Sequence, residues 1–275
     1  MGTAMPITPA RELRRISEQQ FHDIDYLVTG LAFHVHRNLG PWFVNEAIYR
    51  DELAKLCRAK GVTVWTELPI VVSFDTFSKP YFLDLVVNDS VPYELKTVEA
   101  IHSKHRSQTL NYLMLTGLAH AKILNMRSGS VQYEFVSTTV TNTDRYAFSL
   151  DFDLWQDRDA DSRWLRETIR RLIEEWGLFL DVTLFYEAIE HLRGGTANVI
   201  RPVVITLGKN PIGRQPSHLM NSHTAFKITA ISNDVDQFEK RLLKFLSITS
   251  LQAIQWINFN RHNVCFKTLE RDSKS

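Results

Sequence analysis

Cysteine is scarce in this chain: Cys57 and Cys265 are the whole supply among 275 residues, far apart and without CxxC spacing. That excludes a disulfide framework and a zinc ribbon, and implies free thiols in a reducing, cytoplasmic compartment. An excess of one charge sign is also missing. With 32 Lys+Arg against 31 Asp+Glu the formal net charge is +1, so any nucleic-acid surface has to be a local patch. Nowhere do about 18 apolar residues run together, which excludes a membrane-spanning helix. The start, MGTAMPITPARELRR, lacks the apolar stretch of a secretory signal. GxGxxG, the P-loop and GxSxG are absent as well, so dinucleotide, P-loop and nucleophile-elbow chemistry find no support.

What is present suits a globular α/β protein: 44% apolar and 23% charged residues. From Glu18 to Leu39, Phe21, Ile24, Val28, Leu31, Ala32 and Val35 recur at three- and four-residue steps, the mark of an amphipathic helix. Gly40-Pro41 ends it, and a second helix is expected from Asn45 to Lys60. The period then changes to strands at Val62–Phe74, Tyr81–Val87 and Val91–Thr97, a helix at Lys104–Thr116, and strands at Ala121–Met126 and Gln132–Ser137. Composition shifts after Val140. The reading is a tail over residues 1–17, a first domain over 18–145, and a second, α+β domain over 150–275. In the second, strands are expected near Val203–Leu207, Ala225–Ile231 and Val264–Leu269, with helices over Asp236–Ile257.

The stretch LDLVVNDSVPYELKT, Leu83 to Thr97, is apolar except where Asp84, Glu94 and Lys96 interrupt it. If Asn88-Asp89-Ser90 is a three-residue hairpin loop, Val87 faces Val91, and counting back sets Asp84 opposite Glu94 on one face. Lys96 joins that face and Leu95 points the other way. Facing carboxylates repel, and burying them costs several kcal/mol. A divalent cation such as Mg²⁺ resolves the conflict. Lys96 can then stabilise charge on a phosphate, or orient and deprotonate a water. Taken alone, the same residues also fit a surface salt-bridge cluster in which Lys96 neutralises Glu94.

FLDLVVNDSVPYELKT resembles the core hairpin of the PD-(D/E)XK nuclease superfamily, with Asp84 and the triplet Glu94-x-Lys96 in the positions of its metal site. Gln108 and Tyr112, in QTLNYLMLTG, are similar to the QxxxY pattern of RecB-type and lambda-exonuclease-like members. FHVHRNLGP followed by NEAIYRDEL resembles the start of the small bacterial GxxExxY family, matching at Glu46 and Tyr49. Phe43 stands where that motif has Gly, and Leu83 where the superfamily name has Pro. The resemblance spans residues 18–140. It implies a restriction-endonuclease-like core, a mixed central sheet flanked by helices in αβββαβ order. It also implies a metal-dependent nuclease on nucleic acid, DNA favoured over RNA, with Mg²⁺ or Mn²⁺ on Asp84, Glu94 and Glu46. Asp84, Glu94, Lys96, Gln108 and Tyr112 would form the catalytic set. The competing reading is a catalytically silent nucleic-acid-binding or assembly protein on the same fold, and self-association is left open.

Glu46 also fits a solvated helix residue pairing with Arg50 one turn on, and Gln108 with Tyr112 a polar helix face around a half-buried tyrosine. Lys104, His105 and Arg106 open the same helix and could hold a nucleic-acid backbone. His34 and His36 fall on different sides of their helix and are expected to pack or cap. The segment QWINFNRHNVCFKTL, from Gln255 on, mixes aromatic, amide and basic groups that could stack bases and contact phosphates; the favoured reading is a helix-to-strand corner with Trp256 and Phe259 in the core.

Overall fold

A computed structural model describes residues 5–271. The chain divides into two compact units, one running to Asn142 and one from Thr143, with Phe74–Phe77 counted in the second. The first carries β1 (Ile7–Pro9), α1 (Glu18–Leu39), α2 (Glu46–Ala59), β2 (Val64–Phe74), β3 (Phe77–Val87), β4 (Val91–Lys96), α3 (Ser103–Thr116), β5 (His120–Asn125) and β6 (Gln132–Ser137). The strands form one mixed sheet in the order β1-β2-β3-β4-β5-β6. β4 runs antiparallel to β3 and parallel to β5, with α3 as the crossover.

Local chemistry sets the helix ends. Ser17 and Gln20 form a capping box at the start of α1, satisfying backbone donors that the helix leaves unpaired. At its end Gly40, at φ +68°, returns its N–H to the His36 carbonyl. The Asn45 side chain accepts the Ala47 N–H and starts α2. Phe21, Val28, Ala32 and Val35 of α1, with Leu53, Ala54 and Cys57 of α2, bury their apolar stripe on Leu85, Val87, Tyr93 and Leu95. Each large apolar side chain so buried contributes roughly 1.5–3 kcal/mol. Burial also pushes the Cys57 thiol up to about 11, far from reactive.

The first 17 residues are not a loose tail over the described part. Ile7–Pro9 pairs with Ile70–Val72 as an edge strand, and Leu13 packs on Leu113, Leu118 and Ala121. The Arg15 guanidinium donates to the carbonyls of Gly117, Thr138, Thr139 and Val140. Pro6 and Pro9 suggest an irregular lead, yet an edge strand tolerates proline because one side of it needs no donor.

The second unit carries α4 (Asn142–Tyr146), β7 (Ser149–Leu154), α5 (Ala160–Trp176), α6 (Val182–Leu192), α7 (Thr196–Val199), β8 (Ile200–Leu207), β9 (Asn210–His218), β10 (Thr224–Thr229), α8 (Val235–Ser247), β11 (Ala253–Asn260) and β12 (Asn263–Glu270). A four-stranded sheet in the order β10-β11-β12-β7 stands apart from a β8-β9 ribbon. Here one expectation fails. The helical reading over Asp236–Ile257 holds to Ser247, but Ala253–Asn260 is a strand inside the sheet. AIQWINFN is buried on both faces, so it shows no alternation, and a short apolar run of that kind is ambiguous between helix and strand. Trp256 and Phe259 are nonetheless core residues.

Candidate active site

The turn Asn88-Asp89-Ser90 sets the register of the hairpin. Val87 pairs with Val91, Val86 with Pro92 and Leu85 with Tyr93. Asn88 and Asp89 both take positive φ, which Asn and Asp tolerate better than most residues. One step beyond the last backbone pair, Asp84 replaces the ladder with its side chain: Oδ2 accepts the Leu95 N–H at 2.8 Å. Glu94 is 4% exposed and every residue of β4 is buried. Its Oε1 accepts from Lys96 Nζ at 2.6 Å.

Glu46, in the first turn of α2, comes to the same place. Its Oε1 accepts the Thr97 N–H at 3.1 Å, and Oε2 lies 3.9 Å from Lys96 Nζ. It does not pair with Arg50, whose guanidinium bridges Asp51 and Glu67 instead. On α3, Gln108 Nε2 donates to the Tyr112 hydroxyl at 3.1 Å. The Tyr112 ring sits edge-on to Tyr81, and Glu94, Asp84 and Lys96 all act on its hydroxyl electrostatically. Asp84, Glu94, Lys96, Glu46 and Tyr112 thus share one electrostatic neighbourhood.

That neighbourhood is strained electrically. Burial, followed by the charge of Asp84, lifts the Glu94 carboxyl to about 7, and the ion pair with Lys96 does not overcome them. Asp84 is raised too, chiefly by burial, against the pull of the Leu95 N–H and Lys96. Burial opposes the charge on Lys96, but Glu94, Glu46 and Asp84 together outweigh it and leave the ammonium pKa above its ordinary value. Burial and then Glu94 raise the Tyr112 phenol, so it stays protonated.

The helix-opening cluster is divided. Lys104 is exposed. His105 Nδ1 accepts the His102 N–H at 3.0 Å; burial, then Lys96, lower its pKa. Arg106 is spent on Glu134 through two hydrogen bonds of 2.5 and 2.7 Å. His36 Nε2 donates to the Ser128 carbonyl, 2.8 Å away, as a packing residue.

Sequence reasoning missed Asn125 and Thr97. Asn125 is fully buried at the end of β5. It accepts the Val98 N–H at 3.1 Å and donates to the Val98 carbonyl at 2.8 Å, while the Met126 N–H reaches the Lys96 carbonyl at 2.7 Å. Thr97 Oγ1 donates to the Val44 carbonyl at 2.7 Å, tying the β4 exit to the start of α2. An asparagine following the apolar pair Ile123-Leu124 at the end of a strand was the available signal.

Residues 22–136 match the family model of the PD-(D/E)XK nuclease superfamily. No curated protein and no solved structure matches the chain. The mixed central sheet flanked by helices is consistent with a PD-(D/E)XK fold, and the match points to a nuclease. Members of this superfamily generally use divalent metal ions. Among the described residues, no group of three or more His, Cys, Asp or Glu side chains stands ready to hold a metal, and Glu46 is turned to Thr97. The donor chemistry at the hairpin still suits a hard cation. Asp84 is engaged through Oδ2 and Glu94 through Oε1, so one carboxylate oxygen of each is left for a ligand. A buried carboxylate, Glu94, and a half-buried one, Asp84, both with raised pKa values, gain from a nearby divalent charge.

Proposed function

We propose that residues 18–145 form a nuclease domain of GxxExxY type that hydrolyses phosphodiester bonds, those of DNA in preference to RNA. Asp84 and Glu94 hold Mg²⁺ or Mn²⁺, with Glu46 assisting from the start of α2. When bound, the cation supplies charge neutralisation at the phosphate and a more acidic water. Lys96, kept protonated by Glu94, Glu46 and Asp84, offsets charge on a non-bridging oxygen; it is a poor general base in that state. The Gln108 amide occupies the Tyr112 oxygen as donor, which leaves the phenol proton for a phosphate or a water. Lys104 and His105 meet the backbone beside the site, and Arg106 contributes once it parts from Glu134.

The observation that carries this reading is the buried Glu94–Lys96 pair, at 2.6 Å, beside Asp84. A solvated salt bridge has no reason to hold a carboxyl near pH 7. Plasmid nicking with Mg²⁺ or Mn²⁺ tests it, with Asp84→Asn and Lys96→Ala as controls. Cleavage by the natural protein and loss of at least a hundredfold in both variants is expected. Equal cleavage by all three, or binding without cleavage by any, leaves the silent-binder reading in its place.

A further inference from the structure

The second unit holds a cleft of about 340 Å³ between β9, β10 and α8, inside the size range of small-ligand sites. Its floor is apolar. α8 is strongly amphipathic, yet Phe238, Leu242 and Phe245 stay partly exposed on the side that faces the cleft. His218 forms a wall, held by Glu190 at 3.1 Å and lying 4.3 Å from the Tyr186 ring, with Phe226 beside it. The rim is cationic. Lys227 and Arg241 are exposed there, and among the described residues neither has an acidic partner. The neighbouring ribbon, residues 200–218, carries Arg201, Lys209 and Arg214 and not one Asp or Glu.

An apolar floor with half-exposed phenylalanine rings, under cations without acidic partners, fits a ligand with a planar apolar part and flanking anions. We propose that this cleft binds a single nucleic-acid strand, one base resting against Phe238 and His218 and the adjacent phosphates on Lys227 and Arg241. Aromatic stacking and phosphate contact are the two components of single-strand recognition. An acidic peptide would use the cations but leave the aromatic floor without a planar partner. The choice of nucleic acid over another polyanion rests on the nuclease reading of the first unit; the position of the site does not.

The test measures fluorescence anisotropy of a labelled single-stranded oligonucleotide of about 12 nucleotides. It uses the full chain bearing Asp84→Asn in EDTA, so cleavage plays no part. Adding Lys227→Ala and Arg241→Ala together is expected to weaken binding at least tenfold. The slope of log affinity against log salt should fall by about 1.4, since each single-strand phosphate contact accounts for about 0.7. Phe238→Ala should weaken single-strand binding without changing that slope, its folding checked by thermal unfolding. Unchanged affinity and slope in the Lys227/Arg241 variant would overturn the proposal. So would equal weakening of a duplex of the same length by Phe238→Ala, or competition by a poly-glutamate peptide as strong as that by the oligonucleotide. Nicking by the natural protein is scored separately, so failure of the cleft and failure of the nuclease reading give different results.

Discussion

Replacing Glu94 with glutamine turns the electrostatic strain of the site into a measurable stability difference. Folding raises the Glu94 pKa from 4.5 to about 7, so the native state favours the neutral acid. The stabilisation this gives is fully present below pH 4.5 and is lost as pH rises through about 7. The size follows from the interval: roughly 3 kcal/mol, at about 1.4 kcal/mol per pH unit. Glutamine mimics the neutral acid and cannot ionise. Urea unfolding of both proteins in EDTA, from about pH 5 to about pH 8, reads the effect as a difference of differences. The natural protein should lose on the order of 3 kcal/mol relative to Glu94→Gln across that range. Saturating Mg²⁺ or Mn²⁺ should remove most of the loss, because binding requires the ionised carboxylate. Parallel stability curves in EDTA would refute the reasoning, since Glu94 would then titrate alike in both states.

The same linkage requires Mn²⁺ affinity to rise with pH between about 6 and 8 with proton release, which calorimetry in buffers of different ionisation enthalpy detects. Lys96→Ala should drive the Glu94 carboxyl still higher than about 7, visible by carbon NMR titration of labelled glutamate; an unchanged value contradicts the pairing. Asn125→Ala removes two hydrogen bonds that fix the chain after Lys96. It should cost about 1–3 kcal/mol and lower kcat in nicking with little change in KM. Across the sheet, Lys122 pairs with Asp25 at 2.5 Å, and Tyr93 donates to that carboxylate at 3.2 Å. Lys122→Met should destabilise by about 3–5 kcal/mol, whereas pairing it with Asp25→Leu should recover most of the loss. Denaturant midpoints of the two variants decide that case.

Much of the first unit could be read from local chemistry. Strong periodicity with punctuation, as at Glu18–Leu39 between Ser17 and Gly40, leaves little ambiguity, and the observed helix has those limits. The hairpin register was legible because loop length and alternation fix it together: Val87 meets Val91 as the three-residue turn requires. What escaped depends on contacts distant in sequence. Nothing near Arg50 announces Glu67 as its partner, so the pairing of Glu46 with Arg50 was the natural local reading. Asn125 acts on Val98, and Asp25 on Lys122, only once the sheet has formed. In the second unit, β9 carries Pro211, Gly213 and Pro216 with no alternation, and β11 is buried throughout; neither shows the period-two signal that marks a half-buried strand.

Crystals soaked in Mn²⁺ at about pH 8, where Glu94 is ionised, and examined by anomalous diffraction test the metal site most directly. A single strong peak within bonding distance of both Asp84 and Glu94 carboxylates, next to the Lys96 ammonium, is the expected result. No peak there, or manganese held elsewhere on the chain while the Glu94–Lys96 pair stays closed, would contradict the account.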